Sequence, residues 1–193
     1  MDLNTKQEIL EVLTMPEETF WSQVAPAARE VCQKQFGTSL LVTAMLAYTN
    51  ICKNQCLYCG MRAGNKIPRY RMSPEEILPL AQRAREDGLG RMFLLAGEDQ
   101  NYGFEKLLTL IAGLRQQGYT IALGAGELSR TQYQELRDAG VEEYVLKFEM
   151  SHPDSFQRLN PSTTYAKRMG CTQWIKEAGM KLASGNIVDW PGQ

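Results

Sequence analysis

Cys52, Cys56 and Cys59 lie in one short stretch, Cys52-Lys53-Asn54-Gln55-Cys56-Leu57-Tyr58-Cys59. Three thiolates on one loop are first of all a set of metal ligands. A structural zinc site or an ordinary iron–sulfur cluster takes four protein ligands, whereas a centre that does chemistry keeps one coordination position open. Cys32, Cys171 and the single histidine, His152, are all far away in sequence. If one of them supplied a fourth ligand, the same thiols would make a non-catalytic zinc or electron-transfer module. Taken singly, these three read more simply. Cys32 is expected to be a small buried side chain on the inner face of a helix, and His152, next to Pro153, marks the entry to a helix.

Several charged groups stand where apolar runs end. Leu94-Leu95-Ala96 breaks into Gly97-Glu98-Asp99, where glycine admits a close backbone and Glu98 could accept from an ammonium group. The alternative is a solvated loop acid. Lys147-Phe148-Glu149-Met150 is followed by Arg168 early in a later helix, and a carboxylate with a guanidinium suits a zwitterionic amino acid as well as it suits an ordinary ion pair. Glu127, after Leu123-Gly124-Ala125-Gly126, and Asp99 are the acids nearest a bound substrate if these strand ends share a pocket. Gly185-Asn186-Ile187 puts a glycine where backbone could approach a base. The run Arg62 to Arg71, with Lys66, Arg69 and Tyr70, is either a solvated charge cluster or a clamp on the cysteine loop.

The elements that must position these groups follow from the pattern. Two amphipathic helices over 4–14 and 16–36 form a helical brace (1–37), which closes at Gly37. The apolar run Ser39 to Tyr48 lacks a helical period and reads as a strand covered on both faces. Ser73-Pro74-Glu75-Glu76 is a capping box that opens a helix ending near Gly88. Strands over 91–96, 120–123, 143–148 and 181–187 alternate with helices over 104–117, 129–139, 153–159 and 163–178. Short connections between such units predict an α/β fold, a partial (β/α) barrel of about five parallel strands over 38–193. A parallel barrel needs more strands to close, so the reading is an N-terminal portion of a longer protein, or a chain whose open edge a partner covers.

The 193 residues are 44% apolar and carry 21 basic against 22 acidic side chains. That balance gives no electrostatic case for nucleic acid or an anionic membrane, and no apolar run is long enough for a transmembrane helix. A small-molecule ligand and a cytoplasmic location are expected, and an odd number of cysteines with three in one loop points to a reducing compartment.

The spacing of the three cysteines, with Tyr58 before the last, resembles the signature of radical S-adenosylmethionine (SAM) enzymes. Cys59-Gly60, Arg62, Asn65-Lys66, Arg69-Tyr70-Arg71-Met72, Gly97-Glu98-Asp99, Gly126-Glu127 and Pro191-Gly192-Gln193 are similar to the biotin-synthase-like branch, in particular HydE-type maturases of FeFe-hydrogenase and methylornithine synthases. The resemblance implies a 4Fe–4S cluster on Cys52, Cys56 and Cys59, whose fourth iron is chelated by SAM. It implies that Tyr58, Gly97, Glu98, Glu149, Arg168 and Ile187 bind the cofactor, and that Asp99 and Glu127 are nearest the substrate. The implied partners are a small-molecule substrate and an electron donor such as ferredoxin or flavodoxin. Maturases of this type usually show Arg-His-Glu-Thr where this chain has Lys147-Phe148-Glu149-Met150. Methylornithine synthases share Cys-Lys-Asn-Gln-Cys and Gly-Glu-Asp but lack the Gly-Glu after the third strand, so the maturase-like activity ranks ahead of the lysine mutase.

Overall fold

Five parallel strands, β1 (Ala44–Thr49), β2 (Arg91–Ala96), β3 (Thr120–Gly124), β4 (Val141–Val145) and β5 (Lys181–Ala183), pair in sequence order in the computed structural model, which describes residues 3–190. Pro191-Gly192-Gln193, part of the family resemblance, lies outside the described residues. Among the described residues β1 and β5 each have one strand neighbour. The strands alternate with α4 (Pro74–Glu86), α5 (Phe104–Gln116), α6 (Arg130–Asp138), α7 (Pro153–Leu159) and α8 (Tyr165–Glu177). This is the α/β alternation expected from the sequence, with the sheet left open.

One register row shows how the two faces divide. Leu46, Leu94, Leu123, Tyr144 and Leu182 are partners across all five strands, and the middle three are fully buried. They pack against Ile77 and Ala81 of α4, Leu110 and Ile111 of α5, Tyr133 and Leu136 of α6 and Ile175 of α8. Each such side chain stabilises the sheet–helix layer by about 1.5–3 kcal/mol through removal from water. Because side chains alternate along a strand, Phe93, Leu95, Gly124 and Val145 line the opposite face, which forms a cavity. Ser73 and Glu76 form the reciprocal capping box, with the Ser73 N–H donating to Glu76 Oε2 at 2.7 Å.

Residues up to Leu41 make a separate compact unit, with the sheet unit beginning at Val42. The first unit holds α1 (Lys6–Thr14), capped by Thr5 and Glu8, then α2 (Glu17–Thr19), a π-helical turn over Phe20–Val24, and α3 (Ala25–Phe36). The single helix expected over 16–36 is thus interrupted. Its last part runs on through Pro26, which has no N–H to return to the preceding π-helical turn. No residue of these helices is buried, and Cys32 is exposed, contrary to the expectation of a buried thiol. Periodicity names a face but does not bury it.

Three strand boundaries also differ. β1 starts at Ala44 and not at Ser39, and Leu40, Leu41, Val42 and Met45 are exposed. The run is not covered on both faces: Leu40, Leu41 and Val42 precede the strand, and Met45 within it faces solvent. β4 and β5 end earlier than expected, and the chain over 146–148 leaves the ladder before Glu149 returns to it in a single bridge with Asn186. No helix among the described residues is long and apolar enough to cross a membrane.

Candidate active site

A cavity of about 520 Å³ opens at the carboxyl ends of the strands. Cys52, Cys56 and Cys59 line it together with Tyr58, Gly97, Glu98, Glu149 and Arg168, so eight of the residues singled out for a cluster and its ligand come from three different loops and one helix to a single space. Its size is that of an ordinary small-molecule site. Phe93, Leu95 and Val145 supply an apolar floor.

The loop that carries the thiols is fixed by polar groups of its own chain. The Arg69 guanidinium donates to four carbonyls, those of Asn50 (2.6 Å), Met61 (2.8 Å), Arg62 (2.7 Å) and Asn65 (3.0 Å). Arg69 is therefore the clamp that the basic run promised. Arg62 braces the same turn through Asn65, at 2.9 Å. From the other side, the segment joining α7 to α8 receives the loop: the Leu57 N–H donates to Leu159 O at 2.9 Å, the Gln55 N–H to Ser162 Oγ at 2.9 Å, and the Tyr58 hydroxyl to Asn160 Oδ1 at 2.5 Å. Asn160 is fully buried, and its own amide donates to Phe156 O at 3.1 Å.

Loops after β1 and β2 touch backbone to backbone. The Lys53 N–H donates to Glu98 O at 3.1 Å, the Gly97 N–H to Thr49 O at 3.2 Å, and the Glu98 N–H reaches Cys52 Sγ at 3.4 Å. A Cβ on Gly97 would lie 2.2 Å from Ile51 O, so only glycine fits this crossing. Glu98 is held at both oxygens, by the Glu127 N–H on Oε1 (3.0 Å) and by Lys53 Nζ on Oε2 (3.2 Å).

Asp99 faces other partners. Arg71 grips it with two hydrogen bonds of 2.7 and 2.8 Å, and the Thr49 hydroxyl (2.9 Å) and Asn101 N–H (3.0 Å) add to them. The Arg71 bond holds its carboxyl below the usual range despite burial, and the acid ties the β2 loop to the chain after the cysteine loop. Glu127 is likewise enclosed. Its carboxylate, 1% exposed, accepts from Arg168 Nε at 2.8 Å and from the Thr163 hydroxyl at 2.7 Å, with Lys167 Nζ at 3.4 Å. Burial raises its pKa, but the Thr163 and Arg168 bonds outweigh burial and leave it lowered.

Arg168 and Glu149 were expected to converge on one pocket and to hold the SAM carboxylate together. The structure brings both to the cavity but pairs Arg168 with Glu127, and its Nη1 donates to Lys147 O at 2.6 Å. Glu149 is buried at a left-handed φ of 64°, its N–H bonded to Gly185 O (3.0 Å) and its carbonyl accepting from the Ile187 N–H (2.8 Å). That backbone conformation is strained for a residue with a side chain. Burial pushes its carboxyl up, only partly offset by Lys147 and Arg168. Ile187 packs with Tyr58, Tyr165 and Trp190 around Met150, Phe156 and Leu159.

The donor set fits a cluster better than a single ion. Cys52, Cys56 and Cys59 are free thiols on one wall. Among the described residues no three His, Cys, Asp or Glu side chains are grouped as they would be around one metal ion, which zinc, with bonds of about 2.3 Å to sulfur, requires. Cys171 is buried and points its thiol at Leu128 O (3.7 Å), and His152 precedes the first turn of α7; neither lines the cavity. Burial raises the Cys56 thiol, so the thiolate form is favoured only when a metal takes it.

Lys53, Arg69, Asn160, Thr163 and Lys167 were not given roles in the site from sequence, apart from Arg69 as a member of the basic run. Apart from Arg69, each acts through a partner distant in the chain, and no local pattern announces it.

The Radical SAM superfamily model matches residues 46–193. The chain is 32% identical over 190 residues to the FeFe-hydrogenase maturase subunit HydE of Thermotoga maritima, spanning 98% of this chain and 55% of that protein. It is 28% identical over 190 residues to a biotin synthase of Thioalkalivibrio sulfidiphilus, covering 94% of this chain and 54% of the relative. The crystal structure of methylornithine synthase (PylB) superposes with a TM-score of 0.86 at 22% identity, over 95% of this chain and 56% of that one, a likeness of fold. The chain thus spans about half the length of the curated relatives it matches. A cysteine loop at the carboxyl end of β1, an acid after β2 and a matched stretch that runs from within β1 through β5 place this chain in the radical SAM superfamily.

Proposed function

We propose that this chain is the cluster- and SAM-binding part of a radical SAM enzyme that acts on a small molecule in the manner of HydE-type maturases. The convergence of Cys52, Cys56, Cys59, Glu98, Glu149 and Arg168 on one cavity carries the reading. The three thiolates would hold the 4Fe–4S cluster, leaving one iron open to the amino and carboxylate groups of SAM. The bound pair supplies one-electron cleavage of the sulfonium and hence a carbon-centred radical, chemistry that belongs to the cofactor.

The protein's share is to bind, orient and enclose. Glu98 accepts the ammonium, Arg168 and Glu149 frame the carboxylate, and Gly97 lets main chain pass close to the cluster loop. Phe93, Leu95 and Val145 keep water from the floor. Backbone at Gly185–Ile187 flanks the adenine, and an electron donor of the ferredoxin or flavodoxin kind, with a cytoplasmic location, completes the proposal. The Gly126-Glu127 pair favours a maturase-like activity over the lysine mutase, since methylornithine synthases lack it.

Anaerobic reconstitution with iron and sulfide tests this. We expect a brown protein that releases 5′-deoxyadenosine from SAM with dithionite, and loses both iron and cleavage in Cys56→Ala but neither in Cys171→Ala. Stoichiometric zinc without SAM cleavage would overturn the reading.

A further inference from the structure

We infer that Glu127 is a positioning residue that sets the spacing between the two groups recognising a ligand's ammonium and carboxylate, and that it touches neither ligand nor substrate. The inference rests on the proposed SAM site and deepens it. One residue holds both groups: the Glu127 main-chain N–H donates to Glu98 Oε1 at 3.0 Å, and its side chain accepts from Arg168 Nε at 2.8 Å. Glu98 and Arg168 both line the cavity of the three thiols, whereas the Glu127 side chain is 1% exposed and absent from that lining.

The corner that carries Glu127 is itself anchored. Gly126 O accepts from the Tyr144 hydroxyl at 2.8 Å and from the Tyr133 hydroxyl at 3.3 Å, two rings that meet edge to face in the core. Gly126 has a φ of 78°, and a Cβ there would fall 2.1 Å from Glu98 Cγ, so Glu98 rests directly on this backbone. Thr163 and Lys167 fill the remaining oxygen of the Glu127 carboxylate. With Nε on Glu127 and Nη1 on Lys147 O, Arg168 has a fixed plane, and Nη2 has no hydrogen-bond acceptor among the described residues. A guanidinium held in this way is preorganised for one more carboxylate.

The test separates a positioning role from a merely structural one by ligand selectivity. In the cluster-reconstituted chain, dissociation constants are measured for SAM and for decarboxylated SAM, which keeps the ammonium and lacks the carboxylate. Glu127→Gln retains the main-chain N–H and removes the charge that aims Arg168. SAM affinity should fall about tenfold, the scale of one charge-assisted hydrogen bond, while decarboxylated SAM binds within about twofold of wild type. Thr163→Val, which keeps the Glu127 charge, should move selectivity in the same direction by about twofold to threefold, a weaker neutral hydrogen bond being lost, and serves if Glu127→Gln does not fold. Equal loss of both ligands, or unchanged SAM affinity in the folded variants, would overturn the inference. Failure of the wild-type protein to prefer SAM over its decarboxylated form would instead remove the carboxylate site itself, and the inference with it.

Discussion

Glu127 and Glu149 follow neighbouring strands, both are buried, and the protein treats them in opposite ways. Glu127 is enclosed by Arg168, Thr163 and Lys167, and its pKa is lowered; Glu149 has no ion pair within 4 Å among the described residues, sits on a strained backbone, and its pKa is raised. Burial is common to both, so what separates them is whether the fold supplies the counter-charge. An acid with its cation in place is framework. An acid left buried without one is a group for which the protein gives up stability, and such groups gather where a ligand is due.

The contrast breaks most visibly at Arg168. Arg168→Met leaves Glu127 ionised and buried without its main cation, and we expect a loss of about 3–5 kcal/mol in chemical denaturation of the ligand-free protein. A change under about 1 kcal/mol would show the pair to behave like a surface contact.

Glu149→Gln should act in the other direction. A carboxyl whose pKa is raised in the folded state contributes stability below its ordinary range and loses it as pH rises through the folded value. The Gln variant, neutral throughout, should therefore be more stable than wild type near pH 7 and nearly equal to it below about pH 4, while binding SAM more weakly. For Glu127 the sign is reversed: its contribution is present above the ordinary carboxylate range and is lost as pH falls through the lowered value. Thermal melts of both proteins across that range would separate the two acids, and parallel pH profiles would contradict the assignment.

The smallest effect concerns backbone alone. Glu149→Gly and Glu149→Ala remove the same carboxylate, but only glycine is at ease at a φ of 64°, so the Gly variant should exceed the Ala variant by about 1 kcal/mol. The reverse order, the usual one at an ordinary position, would mean that Glu149 is not strained.

What could be read in advance from the residues divides along a physical line. The cysteine loop, the Gly97-Glu98 turn and the capping box at Ser73 are local patterns in which neighbouring residues answer one another, and all three stand where the sequence put them. The partner of Asp99 could not be read, because Arg71, 28 positions away, arrives by the fold. The Tyr58–Asn160 bond, spanning 102 positions, and the Thr163–Glu127 bond, spanning 36, are equally invisible along the chain. Glu149 and Arg168 do reach one cavity, but the bond between Arg168 and Glu127, 41 positions apart, left no mark along the chain. At β1 the apolar run from Ser39 described hydrophobicity correctly but assumed cover on both faces, whereas Leu40, Leu41, Val42 and Met45 are exposed.

The crossing at Gly97, where main chain of the β2 loop lies against Ile51 and bonds to Thr49 and Lys53, makes the two recognition elements thermodynamically dependent on each other. A cluster held as proposed would restrain the loop after β1 and so lower the entropy that the Gly97-Glu98 loop must still give up on taking an ammonium group. By reciprocity of linked equilibria, a bound ammonium tightens the hold on the cluster by the same factor. Loss of iron would then be felt first as weakened grip on the amino-acid end of the ligand, and an excess of that ligand would protect the iron.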